Sequence, residues 1–317
     1  MKSIDRSTPP CGYIDPMPTM HRITDQAPSI SCAVGRYTAN AWVVESGSSE
    51  DVNELTMLNH GWQSSAAAMV PFAIELARNN PSLAVVIPHQ PRILGPRRIA
   101  DIYPYIHEVS RAEVSELRVN TALRVGEAAC DKYGVRNIST IGHSAGNIDQ
   151  VHMALRAETF QVDKITSCMG AGLSTSEETA GMIKRILQTN WRRMHLQAPQ
   201  VMMEGFVAAT AAVLPVMKQL REAGVQFAGL DAENDMLFPP SEKRAAAFPN
   251  AYGIVTEGHA CHQALSHITD APLVAEAMFK IWNKVEFATS QTGDVEEVRE
   301  LVPSPRHGSY GDGVVYA

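Results

Sequence analysis

The chain has 317 residues, enough for one substantial core with a decoration. Apolar residues make up 45% and the formal net charge is −7, an ordinary globular balance that argues against nucleic-acid or anionic-membrane surfaces, which need a basic patch. Five scattered cysteines (Cys11, Cys32, Cys130, Cys168, Cys261) are not a disulfide framework, the N-terminus lacks an apolar signal core and no stretch reaches membrane-span length, so a reducing cytoplasm is the expected location.

Residues 1–30 are rich in Pro, Ser, Thr and Asp and read as an N-terminal arm. Ser31 to Gly47 alternates as a β-hairpin, with Tyr37, Trp42 and Val44 as its bulky points. Val52 to Asn59 reads as a strand, and Ser64 or Ser65 can cap a helix running to about Asn79. Leu83 to Ile87 is wholly apolar, as a parallel strand buried on both faces should be. Val109 to Tyr133 reads as a long helix with Val114, Leu117, Thr121, Leu123, Val125 and Ala128 inward. Arg92, Arg97 and Arg98 form a small basic cluster best read as a solvated loop.

Val135 to Ile141 is an apolar, β-branched run that ends in Gly142-His143-Ser144-Ala145-Gly146. Asn147 to Ala157 then carries Ile148, Val151, His152 and Leu155 at helical spacing. Strand, Gly-x-Ser-x-Gly turn and helix is the context of a nucleophile elbow. A serine hydroxyl needs a base to take its proton, and the sharp turn exposes it. The following helix aims its N-terminus at the oxygen that becomes negative.

Lys164 to Met169 reads as the next strand. About fifty residues without a strand signal follow, with helices expected at Glu177 to Thr189 and Pro199 to Glu222. The second is rich in Ala, Met and Val. Gln226 to Leu230 reads as a strand, and the loop after it crowds Asp231, Glu233, Asn234 and Asp235. A triad acid must accept from one imidazole nitrogen. Asp235, at the loop end before an apolar segment, is the expected acid, with Asp231 second. Ala251 to Thr256 leads to Gly258-His259-Ala260-Cys261-His262. His259, after a glycine that allows a tight loop, is the expected base, with His262 the alternative. A metal site from His259, Cys261 and His262 is disfavoured, because the cluster is local and zinc prefers more separated ligands. Pro272 to Val285 is the closing helix, and residues 287–317 read as a peripheral tail that could serve as a partner arm.

The chain resembles the α/β-hydrolases of the lidded esterase, lipase or C–C hydrolase kind. Four motifs fall in the family's order: His60-Gly61-Trp62 after the third strand, the elbow at Ser144, Ala232-Glu233-Asn234-Asp235 as the acid loop, and Gly258-His259 as the histidine turn. The resemblance spans about residues 32–285. It implies a mostly parallel central sheet with flanking helices and a helical lid inserted after the sixth strand. The implied organisation is a core of residues 31–173 and 222–286, a lid of 174–221 and a tail of 287–317. It also implies an oxyanion hole from the N–H groups of Trp62 and Ala145, and substrate contacts from His60, Gly61, His143 and, in the lid, Met202 and Phe206. Three positions depart from the family: Ala232 stands where glycine is usual, His89 where relatives carry Asp, and Asn147 where a second glycine follows the nucleophile.

The expected activity is hydrolysis of a small to medium apolar ester, thioester or lactone through a Ser-His-Asp triad and an acyl-enzyme. C–C bond hydrolysis, acyl transfer and non-catalytic ligand binding on the same fold are the alternatives. Neither a cofactor nor a metal is expected. The expected partner is a small apolar acyl substrate, without nucleic acid or a membrane span, and a homodimer is left open.

Overall fold

A computed structural model describes residues 29–35, 37–46, 49–61, 64–90, 113–173, 200–249, 251–290 and 314–316. The strands are β1 (Ser29–Val34), β2 (Tyr37–Glu45), β3 (Glu54–Asn59), β4 (Leu83–Pro88), β5 (Asn137–His143), β6 (Gln161–Cys168), β7 (Gln226–Ala232), β8 (Tyr252–Val255) and β9 (Val314–Tyr316). They form one sheet in the order β1-β2-β4-β3-β5-β6-β7-β8-β9. Strands β4, β3, β5, β6, β7 and β8 run parallel, β2 and β9 join them antiparallel at the two sides, and β1 pairs antiparallel with β2 at the edge.

The helices are α1 (Ala66–Asn79), α2 (Glu113–Tyr133), α3 (Gly146–Arg156), α4 (Gln200–Glu222), α5 (Glu242–Ala246) and α6 (Ala271–Ser290). Strand β4 shows why the sheet is covered on both faces. All six of its residues are buried. Leu83, Val85 and Ile87 point into a core shared with Met69, Phe72 and Leu76 of α1 and Val274, Met278 and Ile281 of α6. Ala84 and Val86 point to the opposite core, with Val119, Ala122 and Val125 of α2, Ile148 and Val151 of α3 and Val213 and Met217 of α4. Alternation along a strand makes these two layers. Each fully buried Leu, Ile, Val or Phe contributes roughly 1.5–3 kcal/mol of transfer free energy.

The hairpin, the Ser65 cap and the strand-elbow-helix unit stand where the sequence reading put them. The Ser65 hydroxyl accepts from the Ala68 N–H at 3.3 Å, satisfying one orphan donor of α1. Four readings need correction. In α2, Thr121 and Val125 are buried as expected, but Leu117, Leu123 and Ala128 are only half-buried, the side chain of Val114 lies outside the described residues, and Arg118, Val119, Ala122, Ala129 and Cys130 are buried. A buried arginine, Arg118, belongs to its inner face. In α3, Leu155 is exposed, and the buried positions include Asn147, Asp149 and Gln150.

Third, the second half of α4 is part of the core. Thr210, Val213, Met217 and Leu220 are buried, and this stretch packs on α3 and α2 as a crossover helix. The expected lid boundary at 221 is therefore too late. The expected helix over 177–189 lies outside the described residues, as do the Arg92, Arg97, Arg98 cluster and the arm up to residue 28. Fourth, the tail is not wholly peripheral: β9 pairs with β8, with Val314 opposite Val255 and Tyr316 opposite Gly253. The closing helix also runs to Ser290.

Among the described residues no helix is long and apolar enough to cross a membrane. The described cysteines Cys32, Cys130, Cys168 and Cys261 are all free thiols. Burial pushes the Cys130 thiol up to about 11 and Cys168 higher still, so neither is a poised nucleophile.

Candidate active site

Parallel strands deliver their C-terminal ends to one edge of the sheet, and the loops there carry the chemistry-bearing residues. Asn59 ends β3 and His60 and Gly61 follow it, Gln90 follows β4, Ser144 follows β5, Asp235 follows β7 and His262 follows β8.

Ser144 has φ of +54°, a left-handed conformation that costs a non-glycine residue about 1–2 kcal/mol. The surroundings enforce it. The Ser144 N–H donates to Cys168 O at 3.1 Å, while Ser144 O accepts from the N–H groups of Asn147 at 3.1 Å and Ala171 at 2.9 Å. The flanking glycines are required by close approach. A β-carbon at Gly146 would lie 2.1 Å from Asn59 O, and one at Gly142 would lie 2.6 Å from Gly146 O. The elbow thus wedges the start of α3 against the end of β3.

The oxyanion side is built next to it. Ala145 is buried and its N–H stands at the open end of α3, where no intrahelical acceptor exists. A β-carbon at Gly61 would lie 2.9 Å from Ser144 Cβ and 3.3 Å from its Oγ, so the β3 loop covers the serine directly. Trp62, the expected second donor, lies outside the described residues, as do the side chains of Met202 and Phe206.

A buried polar network fixes that loop from below. Arg118 of α2, 1% exposed, donates from Nη2 to His60 O at 2.7 Å and to Gln90 Oε1 at 2.7 Å. It also forks onto Asp149 of α3, at 3.0 Å from Nε and 2.6 Å from Nη2 to Oδ2. Gln90 Nε2 donates to Asn59 Oδ1 at 3.0 Å. Asn147, where a glycine is usual, donates to Ala171 O at 2.7 Å and ties the loop after β6 to the elbow.

The aspartate–histidine pairing differs from the expected one. Asp235 Oδ2 meets Nδ1 of His262 at 2.8 Å, not His259. Its Oδ1 accepts from the N–H groups of Leu237 at 2.7 Å and Phe238 at 2.9 Å. Burial pushes the Asp235 carboxyl up, but the imidazole of His262 and these two N–H bonds outweigh it and hold the group below its ordinary value. His259 turns away to Asp270 Oδ2, 3.0 Å from its Nδ1, with its side chain 52% exposed. The reason is the turn. Gly258 at φ +68° and Ala260 at φ +41° reverse the chain, and Ala260 O is fixed by the Asn234 N–H at 2.8 Å. The chain therefore reaches the acid loop three residues later than expected. Asp231, the second choice for the acid, is taken up by Arg244 at 2.6 and 2.7 Å and by the Tyr252 hydroxyl at 2.6 Å.

His143 links the elbow to His262. Its Nε2 contacts His262 O at 2.6 Å, so this nitrogen carries the hydrogen and donates. Its ring centroid is 4.9 Å from that of His262, which brings the His262 imidazole beside the serine's neighbour. Burial, with His262 nearby, depresses the His143 imidazole to about 3. A folded value below the unfolded one (about 6.5) means that this neutral, buried ring stabilises fully above about pH 6.5. That contribution fades as pH falls toward 3, by about 1.4 kcal/mol per unit. His143→Gln, which keeps a donor, should flatten this acid limb. Denaturant unfolding at about pH 7 and pH 5 should cost the native chain roughly 2 kcal/mol more than the variant.

No family model and no curated protein matches the chain. Solved structures do. A 2-hydroxy-6-oxo-6-phenylhexa-2,4-dienoate hydrolase from Rhodococcus is 15% identical, with 80% of this chain and 99% of that one covered at a TM-score of 0.50. A serine hydrolase from Cycloclasticus zankles is 12% identical over 84% and 99% at 0.50. A thermophilic esterase from Thermogutta terrifontis is 15% identical over 82% and 99% at 0.51. With the strand order and the elbow turn already in place, the chain is an α/β-hydrolase-fold protein.

Proposed function

We propose that the protein is a serine hydrolase that cleaves a small to medium apolar carboxylic ester, thioester or lactone, with Ser144 as nucleophile, His262 as base and Asp235 as the acid that orients it. The observation that carries this reading is the Asp235–His262 pair, tied to His143 of the elbow, whose next residue, Ser144, is kept in a strained left-handed turn. Strain retained in this way is a mark of functional preorganisation.

Asp235 occupies Nδ1 of His262, so Nε2 is the nitrogen that takes the Ser144 proton. Ser144 Oγ attacks the carbonyl carbon, and the Ala145 N–H stabilises the oxyanion, with the Trp62 N–H as second donor. One such donor contributes about 3–4 kcal/mol to the transition state in known cases. The leaving group departs with the proton from His262. Water then attacks the acyl-enzyme, giving its proton to His262, and the acid is released as Ser144 regains its hydrogen. The apolar preference rests on Met236, which is next to Asp235 and 71% exposed. A lid formed by residues between 174 and 209 would shield the intermediate from water.

The test is hydrolysis of p-nitrophenyl esters of graded chain length, with thioesters and a β-diketone alongside. Ester or thioester turnover that disappears in Ser144→Ala supports the reading. Cleavage confined to the diketone's carbon–carbon bond would replace it.

A further inference from the structure

Three groups converge beside the catalytic loop without a part in the chemistry above. His259, His267 and Asp270 each offer one ligand atom, and these atoms lie within 4.8 Å of one another. We propose that they form a divalent transition-metal site, with zinc as the fitting ion. Asp270 Oδ2 is 3.0 Å from His259 Nδ1 and 3.6 Å from His267 Nδ1. Ligand atoms around tetrahedral zinc stand about 3.3 Å apart when bonds are about 2.0–2.1 Å, so a small adjustment closes the set. Two imidazoles and one carboxylate leave a fourth position for water or an incoming group, reached through the half-exposed His259.

The chemistry of Asp270 argues for a cation. The residue is 1% exposed. The other deeply buried carboxylates differ: Asp149 has Arg118, Asp231 has Arg244, and Asp235 has His262 with two backbone N–H groups. Among the described residues Asp270 meets no guanidinium or ammonium, only the two histidines, the Thr269 hydroxyl at 3.2 Å and a long contact from the His259 N–H at 3.4 Å. A buried carboxylate is stabilised by pairing or by metal coordination. Gly258 clears its place, since a β-carbon there would lie 2.5 Å from Asp270 Oδ1. The sequence reading set a metal aside because His259, Cys261 and His262 made a poor set; the fold replaces the last two with His267 and Asp270. His262 stays on Asp235, so the bound ion would brace the loop on both sides of it without drawing it from the acid.

The test is calorimetric titration of the chelator-treated full-length chain with zinc chloride, and with cobalt chloride for its visible spectrum. One equivalent should bind, His267→Ala and His259→Gln should each weaken binding at least thirty-fold, and zinc should raise the melting temperature of the native chain only. Circular dichroism checks that the variants remain folded. A sulfur-to-cobalt charge-transfer band would place the metal on Cys261 and overturn the assignment. So would an absence of binding, or binding that His267→Ala leaves intact.

Discussion

Replacing His262 by alanine should lower kcat for ester hydrolysis by about 10⁴–10⁶-fold, the range for removing a triad base that acts with its serine as a unit. His259→Ala, compared in the presence of chelator, should lose less than tenfold. The contrast follows from one distance and one exposure: the Asp235 carboxylate is 2.8 Å from His262, whereas His259 points to Asp270 with half its side chain in solvent. KM should change little for His262→Ala, because the imidazole acts on the reacting atoms rather than on the bound acyl chain. Stopped-flow or plate assays on both variants check this. Equal losses in the two would mean that the loop rearranges and that the Asp235–His262 pair is not the working one.

The second large effect is expected at Arg118. Burial alone lifts the Asp149 carboxyl above its ordinary range, and the Arg118 fork is what opposes that. Arg118→Met strands this carboxylate in the core, which should cost about 3–5 kcal/mol, measurable by urea unfolding. Arg118→Met combined with Asp149→Leu removes both charges and should regain most of that stability, since buried pairs exchanged for apolar groups are often neutral. Activity should not return with it. His60 O and Gln90 would still lack the guanidinium that holds them, and the Gly61 turn over Ser144 depends on that carbonyl. A double variant that is stable but at least tenfold slow in kcat marks Arg118 as a positioning residue. One that recovers both stability and rate would reduce it to a structural pair.

These two predictions also mark what the sequence made legible. The elbow could be read because its demands are local: an apolar strand, two glycines that permit close approach and a helix, all within about twenty consecutive residues. Asp235 could be read because a strand end, a crowded polar loop and an apolar stop locate it. The base could not be settled. Choosing between His259 and His262 needs the path through Gly258 and Ala260, and Ala260 gives no sign in sequence that it adopts a left-handed turn. The pairing of Arg118 with Asp149 was not legible, because it spans α2 and α3 and leaves no trace in either helix's periodicity. Asp270 carried no signal of its own, and only the fold brings His259 and His267 to it. The inner half of α4 was misassigned because Ala, Met and Val suit a lid and a core crossover equally.

The central claim is that Ser144 is an activated nucleophile served by His262. Labelling with a fluorophosphonate probe, followed by mass spectrometry of the adducted peptide, addresses it most directly. Rapid, stoichiometric adduct on Ser144 in the native chain, absent in Ser144→Ala and slowed at least a thousandfold in folded His262→Ala, is the predicted result. A folded native chain that takes no label at Ser144, or labels as fast without His262, would contradict the account.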